Sequence, residues 1–167
     1  MIVHHEQLSK TDRAFSTIHT AAKTPPTVHP SGALEVVVMF TDVPSTLKAL
    51  KTAAELARNL SGRIRLLVPS VVPYPLPLES PQVSKAFNQR RFQTLAAQGS
   101  AAARIDTRVE LYLCRDRDTA LCQALQPEAL VVIGARRSWL PTREKALAAK
   151  LRRKGHHVIL VDSERSK

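Results

Sequence analysis

Residues 130–162 follow a pattern that few folds accommodate: two apolar runs separated by a glycine, a basic loop and a basic helix. The two runs are rich in branched aliphatic residues, which is typical of strands buried on both faces. A helix between two such strands makes them parallel members of one sheet. The loop after the first strand then lies at the carboxyl-terminal edge of the sheet, where folds of this class bind ligands.

The same alternation continues through most of the chain. We predict strands at residues 34–40, 63–68, 107–113, 129–133 and 158–161, and helices at residues 45–60, 84–98, 118–125 and 143–154. The predicted helix caps are Ser45 or Thr46 for the first helix, Asp118 for the third and Thr142 for the fourth. The third strand is predicted at a sheet edge, because Arg108, Glu110 and Tyr112 alternate with its apolar residues.

Five strands alternating with four helices predict an α/β fold with a five-stranded, parallel, doubly wound sheet. We assign residues 33–163 to this single domain. Residues 1–32 lack sustained periodicity and end in a proline-rich stretch, so we predict a flexible tail and linker with a short helix near residues 11–22. Residues 164–167 are predicted as a carboxyl-terminal tail.

The charge distribution is uneven. The chain has a formal net charge of +11, and residues 136–154 alone contain eight basic residues and one acid, Glu144. Such a field attracts phosphates, nucleic acids or acidic lipid surfaces without selecting among them, and a solvated helix face is an equally good interpretation. Trp139, the only tryptophan, lies in this segment, where it would cover a ligand, stack on a base or anchor the loop to the sheet.

Several classes of protein are disfavoured by the sequence. No apolar run approaches the length of about 20 residues that spans a bilayer, and the first residues do not resemble a secretory signal. Two cysteines, Cys114 and Cys122, do not suggest a disulfide framework. We therefore expect a cytoplasmic protein without a membrane partner. No nucleophile–base pair, carboxylate pair or metal-ligand spacing is evident, so neither an enzyme nor a metal site is expected.

Four segments of the chain are considered in their order along the sequence: VVVMFTD with the alanine-rich helix after it, RIRLLVPSVVP, CRDRDTALCQALQPEALVVIGARR and KLRRKGHHVILVD. Taken in this order, they resemble the universal stress proteins. The resemblance covers residues 32–162. It implies a Rossmann-like sheet of the adenine nucleotide alpha hydrolase type, with strand order 3-2-1-4-5 in the numbering of the five predicted strands. The first and fourth predicted strands then flank the topological switch point.

The resemblance also implies a site for ATP or another adenine nucleotide. Asp42 would contact the adenosine moiety, and Gly134 would open a glycine loop whose backbone amides hold phosphate. The remaining positions depart from the family motif: Arg137 stands at the second glycine, Leu147 at the third, and Ala148 at the hydroxyl-bearing position. A degenerate site is therefore expected.

Each candidate residue has a structural alternative. Asp42 would bind a ligand or cap the first helix, and Gly134 would approach phosphate or satisfy the backbone alone. Arg136, Arg137 and Arg143 would grip an anion through their side chains or simply be solvated.

We expect a cytoplasmic regulatory protein, similar to the universal stress proteins, that acts by dimerising or by binding a protein partner. The resemblance implies that such a dimer forms through the last strand. A first alternative is a nucleotide- or phosphate-binding protein that uses arginines in place of the glycine loop. A second is a basic nucleic-acid-associated protein, which is the least favoured because no set of stacking aromatic residues accompanies the charge.

Overall fold

The computed structural model describes residues 14–20, 34–77, 85–101 and 105–163. These residues form one parallel sheet with helices on both faces. The strands are β1 (Ala14–Thr20), β2 (Glu35–Met39), β3 (Arg63–Val71), β4 (Thr107–Cys114), β5 (Leu130–Arg136) and β6 (His157–Ser163). The helices are α1 (Val43–Asn59), α2 (Lys85–Ser100), α3 (Arg117–Ala124) and α4 (Arg143–Arg153).

The predicted strand order is confirmed. The sheet has the order β1-β4-β3-β2-β5-β6, so the five predicted strands are arranged 3-2-1-4-5. Successive residues of β2 face opposite sides: Val36 and Val38 belong to the core under α1 and α2, whereas Val37 and Met39 pack with α3 and α4. Burial on both faces explains why β2 is a continuous apolar run.

The sheet has a sixth strand that the sequence did not indicate. β1 pairs in parallel with β4, from Ala14 opposite Thr107 to Thr20 opposite Leu113. The helix predicted near residues 11–22 is therefore wrong for residues 14–20, whose backbone groups pair with a distant strand instead of with one another. Residues 1–13, 21–33 and 164–167, including the rest of both predicted tails, lie outside the described part.

The prediction that the third strand lies at an edge with a polar face is also wrong, because this strand, β4, lies between β1 and β3 and its polar side chains are largely buried. Glu110 is only 2% exposed and Tyr112 only 8%. Glu110 forms ion pairs with Arg65 at 3.3 Å and Arg108 at 3.1 Å, and the Tyr112 hydroxyl donates to its carboxylate at 3.1 Å. Buried polar groups persist where they pair in this way.

Two predicted helix caps shift towards the preceding strand. Asp42 caps α1, where Ser45 or Thr46 was predicted, and Asp116 caps α3, where Asp118 was predicted. A carboxylate two or three residues earlier reaches the amides of the first turn, which removes the need for the later residues. Thr142 caps α4 as predicted. None of the described helices is long and apolar enough to cross a membrane.

Candidate functional site at the carboxyl-terminal edge

The ends of β2 and β5 lie side by side in the middle of the sheet. These strands are in parallel register from Val36 opposite Leu130 to Met39 opposite Ile133. The chain leaves β2 through α1 on one face and β5 through α4 on the other, so the sheet has its topological switch point here. The Thr41 hydroxyl donates to the carbonyl oxygen of Gly134 at 2.9 Å.

The Asp42 carboxylate forms hydrogen bonds within the fold, at the amino-terminal end of α1. Its backbone is extended, and Oδ1 accepts a hydrogen bond from the Ser45 amide at 3.0 Å. Oδ2 accepts from the Ser45 hydroxyl, also at 3.0 Å. The helix-capping alternative for Asp42 is therefore the one that the structure displays.

Arg136 lies against the same carboxylate. Its Nε is 3.5 Å from Asp42 Oδ2, and the arginine side chain is 75% exposed. A pair this exposed contributes little to stability, about 0–1 kcal/mol. It nevertheless places a cation beside the acid that the family resemblance assigns to adenosine.

Glycine is required at position 134 because the backbone of β5 lies very close to the backbone of Ser45 in α1. A Cβ atom added there would lie 2.0 Å from the carbonyl oxygen of Ser45. The Ser45 hydroxyl lies 2.8 Å from that of Ser163, which also donates to the Ala135 carbonyl at 3.2 Å. The first turn of α1 therefore packs directly against β5 and the end of β6. Backbone geometry alone accounts for Gly134.

The other two arginines differ from Arg136. Arg137 and Arg143 are exposed, and no acid among the described residues lies within ion-pair distance of either. The Arg137 amide donates to the Ser163 carbonyl at 3.1 Å, so this backbone donor is already paired. Arg143 is the first residue of α4, where a cation opposes the helix dipole.

Two further arginines at this edge were missed by the sequence reasoning. Arg117 donates to the carbonyl of Phe40, at the end of β2. Arg115 donates to the carbonyls of Val72 and Pro73 at 2.7 and 2.9 Å, and its guanidinium lies 4.1 Å from the centre of the Tyr74 ring. The only sequence signal was the charged run RDRD after the third predicted strand. The guanidinium groups of Arg117, at the start of α3, and Arg136, at the end of β5, thus contact residues that directly follow β2.

Trp139 does not anchor its loop to the sheet. It is 92% exposed, so the anchoring role considered for it is wrong. The loop is instead shaped by its own hydrogen bonds: the Leu140 amide donates to the Ser138 hydroxyl at 3.1 Å, and Lys145 Nζ donates to the Ser138 carbonyl.

The titratable groups at and just after the end of β4 show no sign of an activated nucleophile. Burial raises the pKa of the Cys114 thiol, and the Asp116 carboxylate raises it further, while Arg117 opposes the change. Hydrogen bonds from the Thr119 side chain and amide lower the pKa of Asp116, which fits its capping role. Within the described ranges, no three metal-ligating side chains are grouped to hold an ion.

Comparison with solved structures identifies the architecture. A universal stress protein from Archaeoglobus fulgidus superposes with a TM-score of 0.55 at 15% identity, covering 76% of this chain and 92% of that one. A universal stress protein family member from Burkholderia pseudomallei gives a TM-score of 0.54 at 18% identity, covering 79% and 98%. The chain has the universal stress protein fold. The fold implied by the sequence resemblance is thereby confirmed.

A further structure with this fold contains a nucleotide. It is the universal stress protein from Archaeoglobus fulgidus in complex with dAMP, with a TM-score of 0.50, 14% identity, and coverage of 76% of this chain and 96% of that one. No protein-family model and no curated protein matches the sequence. The likeness to universal stress proteins is therefore one of fold.

Proposed function

We propose that this chain is a regulatory protein of the universal stress type whose nucleotide site is degenerate. It acts in the cytoplasm by dimerising or by binding a protein partner. The observation that carries this proposal is the state of the Asp42 carboxylate, which caps α1 through both oxygens and faces Arg136. A carboxylate that accepts two hydrogen bonds from Ser45 and pairs with Arg136 has few lone pairs left to accept hydrogen bonds from the hydroxyls of a nucleotide.

The loop after β5 supports the same conclusion. Backbone amides hold phosphate when they are unpaired and when small residues allow close approach. Here Arg137 stands where the family resemblance expects a glycine, and its amide already donates to Ser163. Gly134, the one matching glycine, is packed beneath the Ser45 backbone.

Calorimetry tests the degeneracy directly. We expect no micromolar binding when the purified protein is titrated with ATP, ADP, AMP and cyclic dinucleotides. Asp42→Asn keeps a helix-capping side chain while removing the charge, and Asp118→Asn on α3 is a matched control. Micromolar ATP binding that is lost in Asp42→Asn and retained in Asp118→Asn would contradict the proposal.

The edge strand β6 supports a homodimer. The His157 amide donates to Ala129 and the Ser163 carbonyl accepts from Arg137, so the backbone groups of alternate residues point towards β5. Those of Val158, Leu160 and Asp162 therefore point away from the described sheet. An edge of this kind pairs readily with another strand, and a second copy of β6 is the partner proposed here.

A second candidate function is phosphate or nucleotide binding through arginine side chains. It is favoured by the exposure of Arg137 and Arg143 and by the dAMP complex of the Archaeoglobus protein. A guanidinium group binds phosphate through its own N–H donors, so it does not need the unpaired backbone amides of a glycine loop. Arg137→Ala is then expected to abolish binding of inorganic phosphate or ATP while circular dichroism stays unchanged. Undiminished binding in this variant rejects the arginine mechanism.

A further inference from the structure

Exposed apolar side chains are concentrated at one edge of the sheet. Seven large apolar residues are exposed among the described residues, and five of them lie at the carboxyl-terminal edge. We call this set the apolar edge, and its members are Val43, Val71, Tyr74, Trp139 and Leu140. The other two, Leu34 and Leu60, lie at the opposite edge, before β2 and β3.

The apolar edge extends across three neighbouring strands. Val71 and Tyr74 lie at and after the end of β3, Val43 begins the helix after β2, and Trp139 and Leu140 follow β5. Since β3, β2 and β5 are adjacent in the sheet, the five residues lie along the same edge, at or after the ends of three neighbouring strands. Trp139 at 92% and Tyr74 at 80% are the most exposed. Clustered exposed apolar groups of this kind mark interaction sites.

Cations accompany this surface. Residues 136–145 contain four basic residues and a single acid. Arg137 and Arg143, on either side of Trp139 and Leu140 in the sequence, are exposed and have no acid partner among the described residues. The acids Asp42, Asp116 and Asp162 also lie near this edge. Asp42 is paired with Arg136 and Asp116 accepts from Thr119, whereas Asp162 in β6 is exposed.

We propose that the apolar edge docks on an anionic lipid surface. Trp139 and Leu140 enter the headgroup region, and Arg137 and Arg143 meet the lipid phosphates. Tryptophan favours the membrane interface, and apolar groups flanked by cations bind anionic bilayers reversibly. This inference is independent of the proposed function, and it departs from the expectation that the protein has no membrane partner.

The composition of the surface favours lipid over single-stranded nucleic acid. Bases stack on aromatic faces, whereas three of the five side chains are the aliphatic Val43, Val71 and Leu140. Of the two aromatic residues, Tyr74 already has Arg115 over its ring at 4.1 Å. Aliphatic groups bury favourably in acyl chains and add nothing to base stacking.

The single tryptophan provides a direct measurement. All tryptophan emission from the full chain comes from Trp139, so its spectrum reports insertion without labelling. With vesicles containing phosphatidylglycerol at low salt, we expect a blue-shifted emission maximum, protection from acrylamide and co-sedimentation. With pure phosphatidylcholine vesicles, or at high salt, each signal is expected to decrease, because screening removes the attraction of the arginines.

Variants distinguish binding through the apolar edge from binding through the net positive charge of the protein. Trp139→Ala combined with Leu140→Ser, and separately Arg137→Ser combined with Arg143→Ser, are each expected to lower co-sedimentation at least tenfold. The matched control is Arg153→Ser with Lys154→Ser, which removes two charges at the other end of α4, about 16 Å along its axis. This control is expected to retain binding.

Three results would overturn the inference. The first is an unchanged Trp139 spectrum and no co-sedimentation with phosphatidylglycerol vesicles. The second is an equal loss of binding in the Arg153→Ser, Lys154→Ser control, which would show that binding depends on the net charge of the protein and not on the apolar edge. The third is quenching of Trp139 by an oligothymidine at a salt concentration where the vesicles have no effect, which would assign the surface to nucleic acid.

Discussion

Gly134 and Ser45 approach each other so closely that no side chain fits between them. A Cβ atom on Gly134 would lie 2.0 Å from the Ser45 carbonyl oxygen, 2.5 Å from its carbonyl carbon and 3.1 Å from its Cα. All three neighbours are backbone atoms of the first turn of α1, which a rotamer change cannot move. The same serine donates both hydrogen bonds to the Asp42 carboxylate that caps α1.

Gly134→Ala is therefore expected to lower the free energy of unfolding by about 3 kcal/mol, the upper range for overpacking a rigid site. Gly155→Ala is the control: its φ of 88° strains alanine, but nothing lies within 4 Å of its added Cβ. That substitution is expected to cost only about 1 kcal/mol, the lower end of the range for a side chain in the left-handed region. Urea denaturation of both variants measures the difference, and an equal cost for the two would refute the packing argument.

The cap of α1 leads to a second prediction. Asp42→Ala removes the acceptor of both Ser45 hydrogen bonds, so we expect a loss of about 1 kcal/mol in the free energy of unfolding. Asp42→Asn should cost clearly less, because asparagine also caps helices. Arg136→Ala should change stability by less than about 0.5 kcal/mol, since its ion pair is exposed. If Arg136→Ala costs as much as Asp42→Ala, the ion pair and not the cap holds this turn.

Tyr112 leads to a prediction about pH. Burial raises its pKa well above the ordinary value of 10.0, and the neighbouring Glu110 raises it further. The unfolded chain therefore loses the phenolic proton first, the folded state binds more protons, and stability falls as pH rises above about 10. Denaturant unfolding at pH 9 and pH 11 should show a smaller decrease in Tyr112→Phe than in the wild type. Identical decreases would show that other groups dominate.

The proposed dimer can be tested through the backbone of β6. Asp162 has an exposed side chain, and its amide points away from β5. Asp162→Pro removes that donor at an edge position where proline is tolerated, whereas Asp162→Ala keeps it. Light scattering after size exclusion should give a dimer for the wild type and Asp162→Ala, and a monomer for Asp162→Pro. A dimer in all three would exclude pairing through the outward backbone groups of β6.

Local patterns in the sequence were sufficient for much of the fold. The apolar run that became β2 requires burial on both faces, and that requirement already implies a central strand covered by helices. The Thr142 cap of α4 is likewise a local interaction, since Thr142 Oγ1 accepts from the Lys145 amide at 3.3 Å. Features that depend on residues a few positions apart can be predicted from the sequence, because the chain itself keeps those residues close.

The candidate site was predicted less completely. The family resemblance predicted that Asp42 and Gly134 lie at the same edge of the sheet, and they do so in the structure. It did not indicate that Arg117 and Arg136 would reach the end of β2, because the direction of a long side chain depends on which acceptor lies near it after folding. For Trp139 the residue type left three roles open, and only its 92% exposure in the folded chain excludes anchoring of the loop.

The sequence by itself determined the order and type of five strands and four helices, because periodicity and capping act over short distances. Only the tertiary structure decided that Ala14–Thr20 joins the sheet, that Glu110 is buried among arginines, and that Gly134 lies beneath Ser45. Each of these depends on at least one partner tens of residues away, where pairing compensates for desolvation or steric contact excludes a side chain. No local pattern encodes such partners.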